Sequence, residues 1–142
     1  MAQSGSPRPQ SATEELPEQA PPWREPVRGG HPGPELLALS GIEQLRRTLA
    51  GEAPEAPLSR LTGMRLEAVG DGTVSFRMPL TGSLLDENGT IPPGPLTIPA
   101  DAAMACAIMT RLPAWTPFTT SELALRVLRP VRPGDRSMRT PG

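Results

Sequence analysis

One cysteine and one histidine are all that this chain offers of the side chains most used for metals and nucleophilic chemistry. Cys106 cannot close an internal disulfide, and a lone thiol makes no metal cluster. His31 lies in the run GGHPGP with no ordered partner in sight, which marks a solvated loop histidine rather than a catalytic base. No metal or prosthetic group is implied. Lysine is absent: all fourteen basic residues are arginine, a bias that accompanies abundant Ala, Gly and Pro and carries no mechanism. A net charge of -1 argues against bulk binding to nucleic acid. The opening residues MAQSGSPRPQ lack the apolar run of a signal peptide, and no apolar stretch reaches the roughly 18 residues of a membrane span. The expectation is a soluble cytoplasmic protein with no membrane partner.

Proline and glycine, by contrast, are plentiful. Twenty prolines and fourteen glycines in 142 residues are too many for one compact domain, so part of the chain is expected to be unfolded. Residues 1–34 hold eight prolines and almost no large apolar side chains, and read as a disordered tail. Residues 35–56 read as a packing helix and linker. Leu36, Leu39, Ile42, Leu45 and Leu49 form one stripe, Glu43 and Arg47 are spaced for an i,i+4 pair, and Gly51 and Pro54 end the helix. Residues 57–142 read as the main domain. Pro57 to Leu80 predicts a hairpin: Met64, Leu66 and Ala68 alternate with charged residues, Gly70-Asp71-Gly72 turns, and Val74, Phe76 and Met78 alternate again.

The stretch Asn88–Leu112, NGTIPPGPLTIPADAAMACAIMTRL, organises the rest. A turn-rich loop runs from Thr81 to Pro95. A helix is expected from about Leu96 or Ala100, with Pro99 confined to its first turn and Pro113 stopping it. That helix is apolar on nearly every face, so other elements must wrap it. Asp101 then falls in or near the first turn, where a carboxylate has an ordinary role as a partner of the helix dipole. Phe118 to Val131, FTTSELALRVLRPV, alternates as a strand, with Leu123, Leu125 and Val127 on one face.

Two of these stretches, NGTIPPGPLTIPADAAM and FTTSELALRVLRPVRPGD, resemble the hotdog-fold acyl-CoA thioesterases of the phenylacetate-pathway type. The resemblance covers about Pro57 to Asp135. It implies an α+β fold in which an antiparallel sheet wraps a central helix. The matching features are a Gly-rich approach to the helix, an acid within it, then a Thr-led strand ending in Leu128-Arg129-Pro130 and Gly134. The family's His-Gly-Gly triplet falls here on Pro92, Pro93 and Gly94, so the histidine is absent and only the second glycine remains.

What the resemblance implies is hydrolysis of a small acyl- or aryl-CoA thioester, with no cofactor. Asp101 takes the place of the family's nucleophile or general base, and Gly94 offers a backbone N–H to the oxyanion. Leu96 and Thr97 lie beside that donor, and Asn88 is placed to orient the thioester or water. Thr119 and Thr120, with Ser121, follow the connector and can hold water near Asp101, and Arg129 belongs to a basic run suited to the phosphates of CoA. Each also has a plainer role: turn asparagine, strand hydroxyls, solvated basic edge. The family associates as a homodimer or homotetramer through the strand matching Thr119–Val131. The family sheet has further strands after this one, and only Gly134–Gly142 follows here, so an incomplete sheet with open edges is expected. The rival expectations are a non-catalytic acyl-CoA-binding or assembly protein on the same fold, or an inactive truncated chain.

Overall fold

The computed structural model describes residues 29–133 and 135. Most of the expected disordered tail lies outside the described residues. The elements run in the order α1 (Pro34–Leu37), α2 (Gly41–Leu49), α3 (Pro57–Thr62), β1 (Arg65–Gly70), β2 (Thr73–Arg77), a 3-10 turn (Gly82–Leu84) and α4 (Pro93–Met109).

The single N-terminal helix expected over residues 35–50 is two. Pro34 supplies the preset φ that starts α1, which closes after one turn. Ser40 is extended (φ -61°, ψ 155°) and α2 starts afresh at Gly41. The buried Gln44 side chain bonds back to the Leu39 carbonyl at 2.8 Å, satisfying a group that the break leaves open. Gly41 itself lies against the end of α4, its N–H donating to Leu112 O at 3.0 Å. The stop at Gly51 is as expected: φ is +76°, and the following N–H, of Glu52, reaches back to Arg47 O at 2.9 Å. The Glu43–Arg47 pair forms at 3.6 Å on an exposed face.

Pro57–Thr62 is a helix and not the start of a hairpin strand. Pro57 sits in its first turn, and Gly63, at φ +70°, ends it in the left-handed region. The hairpin proper is β1 against β2, antiparallel, joined by Asp71-Gly72. A bulge between Leu66 and Ala68 shifts the register. Beyond it Val69, opposite Val74, turns to the core in place of Ala68, which is exposed. The turn is fastened to α4. Gly72 N–H donates to the buried Thr110 hydroxyl at 2.9 Å, and Arg111 meets Asp71 at 3.0 Å.

The core gathers Leu45 from α2, Met64, Val74, Phe76 and Met78 from the hairpin region, and Ala103 from α4. Helix α4 lies on β2 and α2 on β1. The small side chains of α4 let this approach happen. The described sheet has two strands, so it covers one side of α4 and does not wrap it. Met104 and Ile108, 40% and 58% exposed, line an open flank, which corrects the expectation of a helix buried all round. Phe118–Val131 is likewise not a strand among the described residues. Its one β contact is a bridge from Val131 to Ile91, where Ile91 N–H donates to Val131 O at 2.8 Å. Alternation gave the segment strand potential, but no neighbouring edge accepts it. The connector before it holds Trp115 at φ 57°, a strained value for a bulky residue, with its N–H on Leu37 O at 3.2 Å. Among the described residues, no helix is long and apolar enough to cross a membrane.

Candidate functional site

Helix α4 begins earlier than its prolines suggest. Pro93 and Pro95 occupy its first turn, where an N–H is not needed, and Pro99 lies inside it and is buried. Two consequences follow for the site. Asp101 comes eight residues after Pro93 and is not in the first turn, which contains no acid. At 1.5 Å per residue it lies about 12 Å along the axis, beyond the reach of the helix-end dipole. Second, the helix start is poor in donors. Pro92, Pro93 and Pro95 have no N–H, and helical pairing directs the Leu96 N–H to Pro92 O, leaving Gly94 with the free one.

What holds Asp101 is a distant segment. Thr120 Oγ1 donates to Asp101 Oδ1 at 2.7 Å, across nineteen positions of sequence. The half-buried Asp101 side chain lines an open groove of about 420 Å³. Leu58, Ile98, Ala102 and Leu123 make its apolar wall. Thr97, Asp101, Thr120, Ser121 and Glu122 make its polar side. A carboxylate with one oxygen fixed by a hydroxyl and the other left to accept can activate water, attack a carbonyl, or simply anchor the 118–123 segment.

Of the residues expected from sequence, the structure brings Asp101, Thr97, Thr120 and Ser121 into this groove. Thr97 also donates to Gly94 O at 2.6 Å, closing the first turn. Leu96 is 2% exposed, so its side chain is inside the protein and not on the groove. Gly94 is exposed, and a methyl group there would touch nothing within 4 Å. Seven residues separate it from Asp101, or about 10 Å along the helix. Asn88 is an exposed turn residue. Its backbone N–H donates to Asp86 Oδ1 at 2.9 Å, as does that of Thr90, while the Thr90 hydroxyl takes Oδ2 at 2.8 Å. These bonds, the Thr90 N–H first, hold the Asp86 carboxyl below its ordinary value of 3.8. Thr119 is exposed and does not line the groove. Arg129 pairs with Asp135 at 3.3 Å and does not line the groove.

Cys106, one turn past Asp101, is no competitor as a nucleophile. Burial, and then the Asp101 charge, push its thiol up to about 11, so it stays protonated near neutrality. No group of three or more His, Cys, Asp and Glu is placed to hold a metal among the described residues. The sequence reading missed Leu58, Ile98, Ala102, Glu122 and Leu123 as groove residues. Ile98 and Ala102 flank Asp101 at helical spacing and were findable. Leu58 is hidden by the hairpin expected over Pro57 to Leu80, although Pro57 and Gly63 frame a short helix.

No protein-family model matches the chain, and no curated protein does. Among solved structures it is similar to a protein of Ralstonia eutropha JMP134 described as a putative thioesterase, phenylacetic acid degradation-related protein. The two share 27% identity at a TM-score of 0.58, over 63% of this chain and 70% of that one.

Proposed function

We propose that the chain is a thioesterase-like protein of hotdog type, hydrolysing a small acyl- or aryl-CoA thioester in the cytoplasm, with residues 57–142 as the hotdog portion. The observation that carries the proposal is the Asp101 carboxylate, held by Thr120 and open to an apolar-walled groove. The similarity to the Ralstonia protein supports it. Asp101 serves as general base or nucleophile and Gly94 N–H as oxyanion donor. Asn88 orients the thioester, Thr97 and Thr120 border the acyl group, Leu96 backs the donor turn, and Thr119 and Arg129 contact the CoA portion.

Geometry asks for a second copy. Reacting groups must come within about 3–3.5 Å, and about 10 Å of helix separates Gly94 from Asp101 in one chain. Pairing of Thr119–Val131 with its twin in a homodimer, or a homotetramer built from it, puts the acyl site at the junction of two copies, as in the family the sequence resembles, so that the donor and the acid come from different copies. The exposed Phe118, Leu125, Val127 and Leu128 along this segment suit such an interface.

Release of free thiol from a panel of acyl-CoAs tests the proposal. Asp101→Asn is expected to lower turnover by on the order of 10²-fold with the fold retained. An active wild type whose Asp101→Asn variant keeps its rate removes Asp101 from the mechanism. One observation favours a second reading, an acyl-CoA-binding protein without turnover: the residue capping α4, Pro92, and two of the helix's first three residues, Pro93 and Pro95, are prolines, leaving Gly94 as the free donor where two or more are usual. Binding without thiol release supports that reading.

A further inference from the structure

Asn88 is the one asparagine in the chain, and a glycine follows it. Both residues are exposed, in the loop between the 3-10 turn and α4. That pair carries a chemistry of its own. The Gly89 backbone nitrogen, once it has lost its proton, can attack the carbonyl carbon of the Asn88 side chain. A bond forms between that nitrogen and Cγ, and the side-chain nitrogen leaves as ammonia. The product is a five-membered succinimide. Solvent water then opens either of its carbonyls, giving aspartate or isoaspartate at position 88. Glycine makes the nitrogen approachable because it has no Cβ to shield it, and at Gly89 the space a Cβ would occupy is open, with nothing within 4 Å.

The turn holds this nitrogen back. Gly89, at φ +71°, donates its N–H to Asp86 O at 3.1 Å. On both sides of it the backbone is tied to the same residue. The N–H groups of Asn88 and Thr90 donate to Asp86 Oδ1, each at 2.9 Å, and the Thr90 hydroxyl donates to Oδ2 at 2.8 Å. Asp86 N–H in turn donates to Thr90 O at 2.8 Å. Ring closure swings the Asn88–Gly89 peptide about Asn88, which pulls the Gly89 N–H off its acceptor, so the turn must open first. We propose that Asn88 is a self-modification site, deamidating through the Gly89 nitrogen at a rate set by the opening of the Asp86-centred turn. The change runs one way. Isoaspartate adds a methylene to the main chain between residues that the turn holds in register, and either product adds a carboxylate two residues from that of Asp86. The turn then recloses poorly, and the bridge from Ile91 to Val131, which starts one residue beyond Thr90, loses its support. None of this depends on the reaction at Asp101.

Incubation of the full chain in mildly alkaline buffer, followed by peptide mapping and labelling with isoaspartyl methyltransferase, reads the rate. Cleavage after Arg77 separates Asn88 from Asp71-Gly72, whose isomerisation gives isoaspartate without loss of ammonia. Hydrogen bonds to a charged group are each worth on the order of tenfold in such an opening equilibrium, so Asn88 is expected to deamidate at least tenfold more slowly in the folded chain than in guanidinium chloride. Asp86→Ala should remove most of that protection. Thr90→Ala, which keeps the carboxylate and loses one of its bonds, should speed the reaction several-fold in protein whose circular dichroism matches wild type. A folded-state rate equal to that in denaturant overturns the proposal, as does a rate that Thr90→Ala and Asp86→Ala both leave unchanged. So does the absence of aspartate and isoaspartate at residue 88 in the denatured chain.

Discussion

Replacing Gly41 with alanine should destabilise this protein, although helix propensity says the reverse. Alanine exceeds glycine by roughly 0.5–1 kcal/mol within a helix, and Gly41 has an ordinary negative φ, so nothing in its own backbone forbids a side chain. The obstacle is α4. A Cβ at Gly41 would lie 1.9 Å from Met109 O, 2.8 Å from Met109 C and 2.9 Å from Met109 Cγ. The first two are backbone atoms that no rotamer change can move. Relief requires α2 to slide off the end of α4, which strains the core around Leu45 and lengthens the Gly41 N–H to Leu112 O bond of 3.0 Å. Overpacking of this kind costs about 1–3 kcal/mol, and the weakened bond adds about 1 kcal/mol. After subtracting the propensity gain, a net loss of about 1–3 kcal/mol remains. At about 4–8 °C per kcal/mol for a domain of this size, Tm falls by roughly 5–20 °C. Thermal unfolding followed by far-ultraviolet circular dichroism measures it. Gly82→Ala is the control, since a Cβ there meets nothing within 4 Å, and it should change stability by no more than about 0.5 kcal/mol. A Gly41→Ala protein with an unchanged or raised Tm would falsify the packing of α2 against α4.

Three other outcomes follow from local chemistry. Thr110→Val removes the hydroxyl that accepts from Gly72 N–H at 2.9 Å and donates to Ala107 O at 2.7 Å. It should lower stability by about 1–3 kcal/mol in urea unfolding, Thr110→Ser restoring most of it, and a neutral valine would show that the turn is not fastened there. Because the folded-state Asp86 carboxyl lies below 3.8, its contribution is fully present above that value and is lost as pH falls through the depressed folded value. Wild type should therefore exceed Asp86→Ala in stability at about pH 6, with the gap closing in strong acid; a gap independent of pH counts against the loop geometry. A Cys106 thiol at about 11 rather than its ordinary 9.0 has roughly 100-fold less thiolate near pH 8. Iodoacetamide should thus label it at least that much more slowly in the folded protein than in urea, and equal rates refute the burial.

Where a structural cause is local, the sequence carried it. The stop at Gly51 and the Asp71-Gly72 turn each depend on residues within one turn of themselves, whereas the leucine stripe spans about four turns and breaks at Ser40, with Leu49 left exposed. The bulge at β1 is not local. Met64, Leu66 and Ala68 alternate correctly in sequence, and only pairing with β2 reveals that the register slips, placing Val69 inside and Ala68 outside. The strand expected over Phe118–Val131 fails for the same reason in reverse. Alternation states what a segment can pair with, while pairing needs an edge, and the described sheet stops at β2.

The start of α4 shows how a correct rule yields a wrong position and alters the chemistry. Proline is unfavourable inside a helix by about 3 kcal/mol, so Pro99 argued for a start near residue 96 or 100 and for Asp101 as a dipole-stabilised first-turn acid. The helix instead takes Pro93 and Pro95 into its first turn and carries Pro99 within, buried against the fold. Tertiary contacts of an apolar helix outweigh that local penalty. The shift removes the ordinary explanation for Asp101: no helix-end charge is near enough to account for a carboxylate there. Its hydrogen-bond partner comes from Thr120 instead, and no spacing rule connects residues so far apart. The acid sits in the groove, where apolar helix, aliphatic side chains and the Thr120 hydroxyl meet. That is why Asp101→Asn tests function here more cleanly than it tests the fold: the helix has no electrostatic need of the charge, and asparagine keeps an oxygen for Thr120.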